Sequence, residues 1–264
     1  MFNILRTRFA FVVPALVLWE VVALYSQSPL LPTFSSVFDA FTGNIFLTDT
    51  GNPFGAPGTV PVLLYHAGSS LVRVGGGFAL AVLVGVPIGF LMGYVKWVNT
   101  NLDPIISTLR PIPPIAWIPL AILWFGLGLK PTIFIIFIGT LFPIILNTYH
   151  GVKSCPRRLI QFAEVLGASR FQILTKVLIF EAFPSVVTGM RIGFGIGWMS
   201  VVAAEMIAAK SGLGYLIMTA RWMFATEIVL AGMLLIGLIG FLGDILLRMF
   251  EKRFSKWREG LVLA

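Results

Sequence analysis

The feature that most constrains this chain is the length of its uncharged apolar runs. Val74 to Val95 carries no charge, and between Leu71 and Tyr149 only Arg73, Lys96, Asp103, Arg110 and Lys130 do. Runs of this length cross a bilayer as helices. In hydrocarbon a helix satisfies every backbone group within its own segment. Of the 264 residues 58% are apolar and 11% are charged, about half the charged share of a soluble domain. The fold class that follows is an all-α integral membrane protein.

Six spans are predicted, at about 9–26, 70–94, 103–125, 131–149, 184–207 and 227–248, in a single transmembrane domain over 1–264 with a cytoplasmic loop at 150–183. The first stretch imitates a signal peptide, but no small-x-small cleavage site follows, so it reads as an uncleaved span. The Gly/Pro-rich stretch after it holds acids but no Lys or Arg, which places it outside; its "PTFSSVFDAF" suits a short helix on the membrane surface. Basic residues gather at the other ends: Arg6, Arg8, Lys96, Lys153, Arg157, Arg158, Arg170, Lys176, Arg248, Lys252, Arg253, Lys256 and Arg258. The outer connections hold only Lys130, Lys210 and Arg221, with Arg73 near an outer end, so both termini face the cytoplasm. This distribution accounts for the net charge of +8 and excludes nucleic acid as its reason. The single Cys155 excludes an internal disulfide and reads as a free thiol.

Two spans carry glycine ladders, Gly85, Gly89 and Gly93 in the second and Gly189, Gly193 and Gly197 in the fifth. A spacing of four puts small residues on one helix face and lets a second backbone approach. "GFGIGW" is therefore helix packing and not a dinucleotide fingerprint, since no strand precedes it. No G-x-x-x-x-G-K-[ST] stretch exists, so the chain offers no nucleotide site of its own. His66 and His150 fall near opposite membrane faces and share no metal. No grouping of catalytic residues stands out. Glu205 is the most interior carboxylate; it reads as a structural ion pair or a hydrogen-bond acceptor for a neighbouring helix, or as a gating or substrate group.

One stretch reads like a soluble protein: "QFAEVLGASRFQILTKVLIFEAFPSVVTGMRIG", Gln161 to Gly193. Leu159, Phe162, Ala163 and Leu166 share one helical face. Gly167 ends that helix in a left-handed conformation. Ser169 with Gln172 fits a capping box and starts the next. Phe171, Leu174, Val177 and Leu178 form its apolar face, and Pro184 begins the fifth span. The result is a compact knob of two short helices facing the cytosol, with Phe162 and Leu166 as part of its apolar support.

This segment resembles the cytoplasmic EAA loop of permease subunits in bacterial ABC importers: Glu-Ala-Ala, three residues, Gly, nine residues, Ile-x-Leu-Pro. Gln161-Phe162-Ala163 occupy the first positions and Val177 to Phe180 the last. Gly167 and Ala163 match; the leading glutamate and the final proline do not, and Glu164 sits three residues late. "LDPIISTLRPIPPIAWIPLAILWFGLG", "FPIILNTYHGVKS" and "TGMRIGFGIGWMSVVAAEMIAAKSGLGYLI" resemble the taurine, alkanesulfonate and nitrate branch of these permeases, over about Ser70 to Arg253, and "GFGIGWMSVVAAE" looks closest to taurine permeases.

The resemblance implies a type I importer permease in the bacterial cytoplasmic membrane, surrounded by lipid. Its implied partners are a second permease copy, two ATPase subunits that bind ATP and Mg, and an external binding protein. No catalytic residue, metal or cofactor is implied for this chain. The loop that docks into the ATPase would comprise Gln161, Phe162, Ala163, Glu164, Leu166, Gly167, Ala168, Ser169 and Arg170. The cargo would be a small anion, taurine or another sulfonate first; nitrate, bicarbonate, cyanate and thiamine-precursor systems look similar. A self-sufficient ion-coupled carrier or channel is the rival class. In the family the passage runs along the third and fifth spans. "RPIPPIAWIP" must be irregular, because prolines remove donors and kink helices, and irregular backbone in a membrane lines a cavity. Trp117, Trp198, Met199 and Ser200 are lining candidates against a packed or lipid-facing role. Arg110 would meet an anionic substrate or, alternatively, snorkel to headgroups.

Overall fold

The computed structural model describes residues 12–46, 54 and 60–259, and all regular structure in them is helical. Arg6, Arg8, the start of the first predicted span and the side chains of Lys256 and Arg258 lie outside the described residues. The helices are α1 (Val12–Ser26), α2 (Phe34–Phe46), α3 (Val62–Tyr94), α4 (Lys96–Leu109), α5 (Ile118–Phe125), α6 (Leu129–Lys153), α7 (Arg157–Val165), α8 (Arg170–Ile173), α9 (Ile179–Ala208), α10 (Leu213–Trp222) and α11 (Thr226–Glu259). A 3₁₀ turn, Pro114–Trp117, precedes α5, and a π turn, Leu174–Leu178, joins α8 to α9. Among the described residues four helical stretches are long and apolar enough to cross a membrane: Val62–Tyr94, Leu129–Lys153, Arg170–Ala208 and Thr226–Arg253. A fifth crossing is available to the pair Lys96–Leu109 and Pro114–Phe125, which meet at 88°. The described part of the first predicted span is a shorter apolar helix.

The bend in the third predicted span has a plain cause. Pro111, Pro113 and Pro114 have no N–H to donate backwards. A residue before proline is pushed out of the helical region, and Pro113 sits at ψ 140. The fifth span differs from expectation. Pro184 does not begin it: the second helix of the knob continues through the π turn into α9, with Pro184 buried inside. One missing donor is a small loss against keeping the rest of the ladder intact through the membrane.

The described residues of 1–70 and 211–238 form one compact unit. Here Glu20 of α1 accepts the Phe34 N–H at 2.6 Å and the Ser35 hydroxyl at 2.8 Å, so α1 caps the start of α2. The start of α10, a helix absent from the six-span reading, is held by side chains of α3. Fully buried His66 accepts the Gly212 N–H through Nδ1 at 3.0 Å, and Ser70 Oγ accepts the Leu213 N–H at 2.9 Å. With Nδ1 accepting, Nε2 carries the proton and donates to the Phe54 carbonyl at 3.1 Å. His66 is thus a satisfied structural imidazole.

The described residues of 71–210 and 239–264 form the second unit. Its centre is α6, which both glycine ladders embrace. A Cβ at Gly85 would meet Ile144, one at Gly89 the Ile145 carbonyl oxygen and Thr148, and one at Gly93 Val152. From the other side, Cβ atoms at Gly189, Gly193 and Gly197 would meet Asn147, Thr140 and, again, the Thr140 hydroxyl. Glycine lets both backbones approach α6 closely, the packing available to helices that gain nothing from excluding lipid. The stacked rings of Phe194 and Trp198 likewise lie over Gly243 and Gly240 of α11. Gly89→Ala is expected to destabilise the unit by about 1–3 kcal/mol, because its Cβ confronts backbone that cannot swing aside. Gly75→Ala, where a Cβ meets nothing within 4 Å, is expected to be neutral. Thermal aggregation of the two variants in detergent, side by side, measures the difference.

Candidate functional site: a coupling knob and a kinked span

The soluble-looking segment folds as α7, a tight turn and α8. Gly167, at φ 77, is the hinge of that turn. Its N–H donates to the Glu164 carbonyl at 2.9 Å and the Ala168 N–H to the Ala163 carbonyl at 3.0 Å. This paired closure satisfies the last carbonyls of α7 and needs a left-handed residue at its corner. Two residues on, Ser169 Oγ accepts the Gln172 N–H at 3.3 Å, and the Gln172 side chain accepts the Ser169 N–H at 2.8 Å, a reciprocal capping box. Gln161, Phe162, Ala163 and Glu164 therefore lie on α7, Leu166, Gly167 and Ala168 form the turn, and Ser169 and Arg170 open α8.

Phe162 and Leu166 do not support the knob from within. They are 65% and 71% exposed, and Phe171 is 72% exposed. Large exposed apolar side chains gathered on one short segment are of the kind that marks an interaction site. The buried support comes instead from Ile173 and Leu178.

The pathway candidates separate into three places. Arg110 ends α4 and lines a cavity of about 290 Å³ with Pro113, Pro114, Asn147, Ile192 and Ile196. Arg110 makes no ion pair among the described residues. Ser200 borders this region: its hydroxyl donates to the Ile196 carbonyl at 2.7 Å and lies beside Gly139, which also lines the cavity. Met199 points away into the open, 76% exposed. Trp117 and Trp198 are packed. Trp117 lies against the cluster of Ile118, Ala121, Ile135 and Ala204, its indole N–H buried without an acceptor among the described residues. Trp198 is 6% exposed against α11.

Glu205 is fully buried and accepts from Arg73 of α3 at 2.9 Å, with Arg73 itself 5% exposed. A buried carboxylate needs such a partner. In sequence Arg73 was only an outer-end charge; its position within an apolar run was the available signal, and its mate lies 132 residues away. Arg191, inside α9, pairs with Asp244 at 2.7 Å and Glu251 at 3.4 Å, and Asp244 also accepts from Arg248 at 2.8 Å.

Residues 81–256 match the family model of binding-protein-dependent transport system inner membrane components. The chain is 40% identical over 241 residues to the taurine transport system permease protein TauC of Escherichia coli, covering 90% of this chain and 84% of that protein. It is 46% identical over 248 residues to a protein of Methanocaldococcus jannaschii named as an ABC transporter permease, covering 93% of this chain and 89% of that protein. To the bicarbonate transport system permease protein CmpB of Synechococcus elongatus it is 35% identical over 203 residues, covering 76% of this chain and 70% of that protein. A chain of the MetNI methionine ABC transporter, solved in inward-facing conformations, superposes with a TM-score of 0.63 at 20% identity, over 71% of this chain and 94% of that chain.

Proposed function

From the premise that this chain belongs to the family of binding-protein-dependent transport system inner membrane components, as a multi-pass permease of the branch with taurine, sulfonate and bicarbonate members, we propose that it forms, with a second copy of itself, the passage of an ATP-driven importer for a small anion. Taurine or another sulfonate is the first choice of cargo. ATP and Mg belong to two separate ATPase subunits, and an external binding protein delivers the anion. Both termini face the cytoplasm, the side where the sequence concentrates its Lys and Arg.

The observation that carries this reading is the knob: two capped helices around Gly167 that expose Phe162, Leu166 and Phe171. A chain with no phosphate-binding loop of its own has use for a packed, water-exposed contact that receives motion from elsewhere. The π turn and α9 carry that motion from the knob into the membrane without a break in the helix.

The anion preference rests on Arg110. A cation at a kinked span, beside a cavity and without an acidic mate among the described residues, suits an anionic cargo. Removing a charge-assisted hydrogen bond costs about 1.5–3 kcal/mol, or roughly 10–100-fold in rate or affinity. Arg110→Gln is therefore expected to lower taurine uptake by about that factor in the assembled transporter, with the ATPase subunit still bound, and Arg110→Lys to retain most of it. Uptake at the normal rate by Arg110→Gln would remove Arg110 from the passage. Calorimetry on the cognate binding protein tests the cargo itself: a neutral sugar as its ligand would overturn the anion reading.

A further inference from the structure

Beside the knob lies a second cavity, of about 650 Å³, which shares Glu164 and Arg170 with the docking loop. Four cations from four segments surround it: Lys96 at the start of α4, Lys153 at the end of α6, Arg157 on α7 and Arg170 on α8. Glu164 is the single carboxylate of its lining. None of these five side chains makes an ion pair or a side-chain hydrogen bond among the described residues. Below the charged rim the lining is apolar and buried, with Val152, Ile173 and Leu178.

We propose that this cleft binds the phosphate group of an anionic molecule, either a lipid headgroup or a soluble phosphate ester. Several like charges gathered around one concavity repel one another and raise the local concentration of an opposite charge. Basic residues that merely mark a membrane edge spread along it; these come from positions 96, 153, 157 and 170, and the fold converges them. The helices α3 and α6, two of the membrane-crossing stretches, end at the cleft with Tyr94 and Lys153. That places it at the depth of phospholipid headgroups, where each Lys or Arg adds to the attraction for anionic lipid. An apolar floor under a cationic rim also suits the junction of headgroup and acyl chain. Two of the four cations belong to the knob, so an occupied cleft ties α7 and α8 to the ends of α3, α4 and α6.

Binding is tested on the whole transporter in nanodiscs of mixed phosphatidylglycerol and phosphatidylcholine, by native mass spectrometry of the lipid retained. This readout rests on no assumption about coupling, so its failure is separable from failure of the transport reading. Phosphatidylglycerol is expected to be retained over phosphatidylcholine, and the Lys96→Gln/Arg157→Gln double variant to weaken retention about tenfold. Both residues are exposed, and the charge-keeping Lys96→Arg/Arg157→Lys variant, expected to bind normally, controls for folding. Millimolar inorganic pyrophosphate in phosphatidylcholine discs distinguishes the sources. Its binding, lost in the double variant, with no preference for phosphatidylglycerol would assign a soluble phosphate; lipid retention without it would assign the headgroup. Equal retention of both lipids together with no pyrophosphate binding would overturn the proposal, as would unchanged binding in the double variant. Loss of the ATPase subunit from the double variant in phosphatidylcholine alone would also overturn it, by making the cleft a protein contact.

Discussion

Gly167→Val is expected to leave the permease inserted and intact and to uncouple it from its ATPase. The turn holds Gly167 at φ 77, a conformation that costs a β-branched residue of order 1 kcal/mol or more. No atom lies within 4 Å of a Cβ placed there, so the penalty is in the backbone and not in crowding. The chain relieves it by leaving the left-handed region. The Gly167 and Ala168 N–H bonds to α7 are then lost, and α7 and α8 no longer meet at the same angle. Phe162 and Leu166 on one side of the turn and Phe171 on the other no longer present one surface. Because α8 is continuous with α9, which packs on α6, it is α7 that swings, and the packing of α6 and α9 stays untouched. The ATPase subunit should fail to co-purify, or substrate-stimulated ATP hydrolysis should fall about tenfold or more, a loss that needs only about 1.4 kcal/mol of docking energy. Gly167→Asn is the informative companion, since asparagine tolerates the left-handed region; it should retain the subunit.

Arg73→Ala is expected to be strongly destabilising. It removes the 2.9 Å ion-pair partner of a fully buried carboxylate, and breaking a buried pair in this way costs about 3–5 kcal/mol. Glu205→Ala should cost a similar amount, by taking the carboxylate away from an arginine that is 5% exposed. Replacing both members together, as Arg73→Met with Glu205→Leu, removes both desolvated charges and should recover most of the loss. Urea or detergent denaturation of the four proteins measures this. If the double variant transports normally, the pair is structural; if it is stable yet inactive, the pair takes part in gating.

What could be read from the sequence depended on how local its cause was. Gly167, Ser169 and Gln172 lie within one turn of the helices they bound, and local hydrogen bonding sets their roles. The proline cluster from 111 to 114 likewise states its own disruption. The glycine ladders showed which faces admit a neighbour, but not that α6 is the neighbour of both. Partners remote in sequence were out of reach: Arg73 for Glu205, and Asp244 and Glu251 for Arg191. The exposure of Phe162 and Leu166 is not legible in the sequence, because periodicity marks an apolar face without saying whether the same chain covers it. Helix α10 is illegible for a related reason, since its start is capped by His66 and Ser70 from another helix.

Reconstitution tests most directly whether the energy for transport enters through the knob from a separate protein. The purified chain is placed in proteoliposomes alone, with a proton or sodium gradient, and again with its ATPase subunit, internal ATP and the external binding protein, and uptake of labelled taurine and bicarbonate is followed. Accumulation of one of these anions only in the complete, ATP-supplied system is the expected result, abolished by Gly167→Val and kept by Gly167→Asn. Uptake by the chain alone, driven by a gradient and without ATP, would contradict it.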